Sequence, residues 1–141
     1  MILNRKTLKF EIDLDFVLIA ITTSLRDYRI CHHINKRLNF DFTKKPDLEV
    51  DIIKGAGPVL FSLYEYHWGA SETDFYFIAN KGSEGYLVPE MRRADYFIMI
   101  KNYIDDTDLD KLINDLNKIQ EIVAAVKIDP KKIKSRENLL F

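Results

Sequence analysis

The chain has 141 residues, is 47% hydrophobic, 12% aromatic and 30% charged, and carries a formal net charge of −1. That profile fits a single globular domain over residues 1–141, excludes a disordered chain, and leaves no overall field to draw in nucleic acid or an anionic membrane. Cys31 is the only cysteine, so no internal disulfide can form.

The N-terminal residues Met1 to Lys6 lack the apolar core of a signal peptide. Leu8, Phe10, Ile12 and Leu14 alternate with Lys9, Glu11 and Asp13, the period of a half-buried strand. Phe16 to Ile21 is continuously apolar, which suits either a short buried strand or the lead-in to a helix. As the longest apolar run it falls far short of the ~20 residues that span a bilayer. A lone thiol with no membrane segment points to a reducing, cytoplasmic setting.

Ser24 with Asp27 three residues on forms a capping-box pattern. Leu25, Tyr28, Cys31, Ile34 and Leu38 then recur at helical spacing and predict a helix from about Leu25 to Leu38. Asn39 to Gly57 is ambiguous, with a short strand near Phe40–Phe42 and a charged connection at Lys44-Lys45-Pro46-Asp47. Gly55-Ala56-Gly57-Pro58 reads as a turn.

Three aromatic-rich strands follow: Val59–His67, Thr73–Asn80 and Gly85–Val88, the last two joined by a hairpin connection at Lys81 to Gly85. Asp95 to Ile100 is apolar enough for a central strand covered on both faces. Thr107 with Asp110 suggests a second helix cap, and Leu109, Leu112, Ile113, Leu116 and Ile119 form its buried stripe. Ile122–Ile128 is the last strand, ended by Pro130. The strand–helix–strand order requires a crossover, so the last two strands are parallel neighbours or separated by one other strand. The fold class is α+β: a mostly antiparallel sheet with two helices packed on it, ferredoxin-like being the best single topology.

Val88-Pro89-Glu90-Met91-Arg92-Arg93-Ala94-Asp95-Tyr96 resembles the signature of the bacterial IPExxxVDY family, with Pro89, Glu90, Asp95 and Tyr96 matching. Val88 and Ala94 replace Ile and Val, both remaining apolar. The resemblance extends along the chain to Glu137-Asn138-Leu139-Leu140-Phe141, implies a shared fold and a bacterial cytosol, and implies no reaction. Read physically, Pro89 starts a tight turn, Glu90 sits by its free amides, and Asp95 can bond backbone amides as the next strand begins. The sharper reading makes Glu90, Arg92, Arg93, Asp95 and Tyr96 a recognition site for a ligand or partner.

Other chemistry finds little support. His32, His33 and His67 with Cys31 or Glu65 lack chelating spacing, since adjacent helical residues point about 100° apart. Cys31 lies on the apolar stripe and reads as core. Glu65, Glu90 and Asp95 are candidate acid–base carboxylates only if they converge. The glycine turn lacks a P-loop lysine and hydroxyl. No cofactor or metal is expected.

Tyr64, Tyr66, Phe75, Tyr76 and Phe77 on strands could stack RNA bases, with Lys81, Arg92 and Arg93 on phosphates, but the basic–aromatic RNA-recognition pattern is missing. The tail from residue 130 to 141 is basic and ends in Leu139, Leu140 and Phe141, which should dock on the body or on a partner. A non-catalytic protein-interaction or regulatory domain, able to self-associate, is the favoured expectation. An RNA-binding module comes second and an enzyme of unfamiliar type third.

Overall fold

Among the described residues, alternation of inward and outward side chains builds one six-stranded sheet. The computed structural model describes residues 16–53 and 55–141, so the expected Leu8–Leu14 strand lies outside the described residues. The elements are β1 (Val17–Thr23), α1 (Asp27–Leu38), β2 (Thr43–Val50), β3 (Val59–His67), β4 (Thr73–Ala79), β5 (Tyr96–Asn102), α2 (Asp106–Asn117) and β6 (Ile122–Ile128). The strand order is β2-β3-β4-β5-β1-β6, and every neighbouring pair is antiparallel. The class is α+β, as expected. β5 and β6 run parallel with β1 between them, one of the two arrangements that the crossover allows. The ferredoxin-like arrangement has four strands; here β2 and β3 extend the sheet at one edge.

Both faces of the sheet are covered, by different material. On one face Ile19, Ile21, Phe75, Phe77, Tyr96, Ile98 and Ile100 meet Ile30, Cys31 and Ile34 of α1 and Leu109, Leu112 and Leu116 of α2. On the other, Leu18, Ala20, Phe61, Leu63, Ile78, Phe97 and Met99 are covered by Leu87, Val88 and Ala94 of the β4–β5 connection and by Ile133 and Leu139 of the tail. Each fully buried Leu, Ile or Phe stabilises the fold by roughly 1.5–3 kcal/mol against leaving it in water. β5 is buried on both faces from Tyr96 to Ile100, the central strand that its sequence predicts.

Several expectations are corrected. Of the two readings left open for Phe16–Ile21 the strand holds, with β1 at Val17–Thr23. α1 starts at Asp27 with Arg26 at the N-cap and no side-chain cap, so Ser24 does not cap it. The chain is held there instead by Thr23, whose hydroxyl accepts from the Leu25 amide at 3.3 Å and donates to the Glu121 carbonyl at 2.7 Å. Tyr28 is exposed, and Ile30 joins Cys31 and Ile34 on the buried face. α2 is capped by Asp105, which accepts from the Asp108 amide at 2.7 Å, not by Thr107.

The stretch Lys44-Lys45-Pro46-Asp47 is part of β2, an edge strand. Lys and Pro are tolerated there because one side of the backbone faces water and needs no partner. Gly85–Val88 is not a strand; one bridge between Lys81 and Tyr86 is all that forms, and Leu87 and Val88 turn inward instead.

Candidate functional site

Asn80, fully buried, organises the corner that carries the signature residues. Its side-chain amide donates to the carbonyls of Met91 (2.9 Å) and Ala94 (2.8 Å) and accepts from the Val88 amide (2.8 Å). Its backbone donates to the Asp95 carbonyl at 3.0 Å and accepts from the Leu87 amide at 2.7 Å. Five backbone groups that leave the sheet are thus satisfied by one residue at the end of β4. Pro89–Met91 forms a single 3₁₀ turn inside this frame, with Pro at its first position.

The signature side chains tie segments together. Asp95 accepts from the Thr23 amide at 2.9 Å, and its own amide donates to the Ile21 carbonyl at 2.8 Å. Tyr96 stacks on Phe77 with ring centroids 4.8 Å apart and donates its hydroxyl to the Leu25 carbonyl at 2.8 Å. Burial, reinforced by the Asp27 and Asp95 carboxylates, pushes the Tyr96 phenol up to about 12. Glu90 accepts from the Ser135 amide at 2.7 Å and so pins the tail. Partial burial pushes its carboxyl up, but the amides of Glu90, Lys134 and Ser135 and the Ser135 hydroxyl outweigh that and hold it below the usual range.

Arg92 and Arg93 are exposed; Arg92 lies over the Tyr86 ring at 5.5 Å, and the Arg93 carbonyl accepts from the Thr22 hydroxyl at 3.0 Å.

The tail docks on the body through Leu139, buried outright, and through Asn138, whose amide donates to the Leu87 carbonyl at 2.8 Å. Leu140 and Phe141 remain 37% and 39% exposed. Phe141 meets Tyr76 edge-on at 5.8 Å and lies beside Lys101, whose ammonium donates to the Phe141 carbonyl.

Asp95 and Tyr96 line a cleft of about 670 Å³, together with Thr23 to Asp27, Ser62, Ala79, Lys81 and Gly82. Its two carboxylates are already engaged: Asp27 accepts from the Tyr64 hydroxyl at 3.3 Å, and Asp95 from Thr23. The three carboxylates and histidine that an acid–base site would need do not share this cleft. Glu90 is turned to the tail, while His67 lies at the end of β3 with Asp74 at 2.5 Å and Glu65 at 3.7 Å.

Among the described residues no group of three or more His, Cys, Asp or Glu side chains could hold a metal ion. His32 is exposed, and His33 stands 3.7 Å from Glu121. Cys31 is buried, and burial beside Asp27 pushes its thiol far up, which removes the thiolate a nucleophile needs. Phe75 and Phe77 are fully buried beneath the helices, Tyr64 nearly so, and Tyr66 stacks on Phe75, so these sheet aromatics are filled by the protein itself.

Sequence reasoning missed the asparagines. Asn35 grips Phe42 from both sides of the peptide (N–H to Oδ1 2.8 Å; Nδ2 to carbonyl 3.2 Å), and Asn117 does the same to Ala125 at 2.9 Å each way. The available signal was position: each lies in the last turn of a helix, a few residues before a strand.

No family model, curated protein or solved structure matches the chain. No helix among the described residues is long and apolar enough to cross a membrane.

Proposed function

We propose that this chain is a non-catalytic protein-interaction or regulatory domain of the bacterial cytosol, belonging with the IPExxxVDY proteins. The observation that supports this reading is where the signature spends its polar atoms. Glu90, Asp95 and Tyr96 each bind backbone of the same chain, joining the β4–β5 connection to the tail and to the start of α1. Such groups shape a surface rather than attack a substrate. What they present to solvent is Arg92 and Arg93 on the corner, and Leu140 and Phe141 on the tail. Arginines and half-exposed apolar or aromatic side chains are the residue types that anchor protein partners.

Affinity capture with the intact chain, followed by mass spectrometry, tests the reading. A partner held by the wild type should be lost from Arg92→Glu/Arg93→Glu or from Leu140→Ser/Phe141→Ser. Turnover of a substrate that disappears on Asp95→Asn, with the circular dichroism unchanged, would sink it. Of the aromatics in the RNA alternative Phe75, Phe77 and Tyr64 are buried while Tyr66 and Tyr76 are half-buried, and a salt series in filter binding decides it, since phosphate contacts weaken as salt rises.

A further inference from the structure

Among the described residues β6 is an edge strand, and an edge presents a row of unpaired N–H and C=O groups to any other strand. β2, at the opposite edge, is blunted by Lys44, Lys45, Pro46 and Asp47. β6 reads Ile-Val-Ala-Ala-Val-Lys-Ile, with Val123 76% and Val126 52% exposed, and carries one charge. Its protection comes from elsewhere. The Asn117 amide accepts from the Ala125 N–H and donates to the Ala125 C=O, both at 2.9 Å, and also donates to the Ile113 carbonyl at 2.9 Å. Both backbone groups of Ala125 therefore point away from β1 and are paired as a neighbouring strand would pair them.

We infer that Asn117 is a gate on the β6 edge, and that the strand it holds off is β6 of a second copy of this chain. This rests on reading the chain as an interaction domain and names the contact that Asn117 keeps closed in the wild type.

The register follows from geometry. The irregularity opposite Thr22/Thr23 ends regular pairing before Ala124, and Pro130 closes the other end, leaving Ala124–Ile128. In an antiparallel pair, outward-bonding residues must meet outward-bonding residues. From Ala125 these are Ala125 and Lys127, two apart. A twofold axis through Val126 sets Ala125 opposite Lys127 of the second copy, Ala124 opposite Ile128, and Val126 against Val126. It pairs all five residues, and any other symmetric register runs into the irregularity or past the proline. The exposed Val126 side chains then cover one another. The two Lys127 side chains become diagonal neighbours on the same face, so their repulsion opposes the pairing and salt relieves it.

Sedimentation velocity over a concentration and salt series tests the gate. Wild type is expected as a monomer. Asn117→Ala should dimerise with rising concentration, tighten as salt rises, and return to monomer when Val126→Lys is added. Asn117→Asp, which keeps the acceptor for the Ala125 N–H but cannot donate to its C=O, should dimerise more weakly, and it decides the matter if the alanine variant fails to fold. A monomeric Asn117→Ala or Asn117→Asp in which exchange of the Ala125 amide has accelerated overturns the inference. So does a dimer indifferent to Val126→Lys. These outcomes are independent of the capture experiment, which reads Arg92, Arg93, Leu140 and Phe141.

Discussion

Asn80 shows how much one side chain can carry. Alanine there strands the buried Ala94 carbonyl and the buried Val88 amide and leaves the part-buried Met91 carbonyl only the Ala94 amide, and an unsatisfied buried group costs roughly 1–3 kcal/mol, partly relieved by relaxation. Asn80→Ala should lower the unfolding free energy by about 3 kcal/mol in urea titration. Asn80→Asp should fare no better, since a carboxylate cannot donate to the Met91 and Ala94 carbonyls. Glu90 works through charge. Its folded carboxyl is held below the usual value, so its contribution is complete above the ordinary carboxylate range and is lost as pH falls through the depressed folded value. The stability gap between wild type and Glu90→Gln should therefore be open at neutral pH and close on acidification, read from thermal midpoints across a pH series. Neither role was fully legible in sequence. Glu90 could be placed by its turn, because free amides at a turn's start attract carboxylates. Asn80 looked like the last residue of a strand, since its side-chain partners lie up to fourteen residues away and nothing local announces them.

At the scale of elements, what the sequence revealed depended on whether local pattern or tertiary position decides the outcome. β5 and α2 were legible because apolar spacing and burial agree; β6 matches the expected Ile122–Ile128 because of its apolar run, although Val123 and Val126 stay exposed. β2 was not, because Lys, Lys, Pro and Asp carry no strand signal; only its place at an edge beside β3 makes it one. The caps differ too: α1 has no side-chain cap, its entry being held by Thr23 on the Glu121 carbonyl, and α2 takes the local Asp105–Asp108 bond, two residues before the expected Thr107. The β4–β5 connection is set by a close approach. A Cβ on Gly82 would stand 2.6 Å from the Leu60 carbonyl and 2.6 Å from the Phe61 ring, which is fully buried and cannot swing aside. Gly82→Ala should therefore destabilise by about 1–3 kcal/mol, the usual range for overpacking. Gly69→Ala, with open space around its Cβ position, is the control for the same denaturation measurement.

For the molecule as a whole, the two sheet faces differ in how they are closed. Helices cover one; a connection and the tail cover the other, fastened by Glu90, Asn138 and Leu139. Leu139→Ala should lose about 2–4 kcal/mol, a buried-leucine truncation, and increase binding of a hydrophobic dye as the outer face opens. An unchanged denaturation midpoint would mean that the tail contributes no stability. The candidate contacts divided along the same line: Asp95, Tyr96 and Leu139 turned toward the body and the exposed Glu90 is taken up by the tail, while Arg92, Arg93, Leu140 and Phe141 kept a free solvent face. Sequence could nominate all eight but could not sort them, because inward or outward depends on what lies across the sheet.

The strand order has a further consequence, in time rather than space. β1 is made before either of its neighbours: Ile21 must wait for Tyr96 on one side and Ala125 on the other. Pairings so remote in sequence slow folding, because the intervening loop must close before the contacts repay it. On the ribosome, Leu18 to Ile21 would leave the exit tunnel as a sticky, partnerless segment, while β3 and β4 could already pair with each other. The sheet would then close from the β3–β4 hairpin toward β6, and β1 would be among the last to find its place.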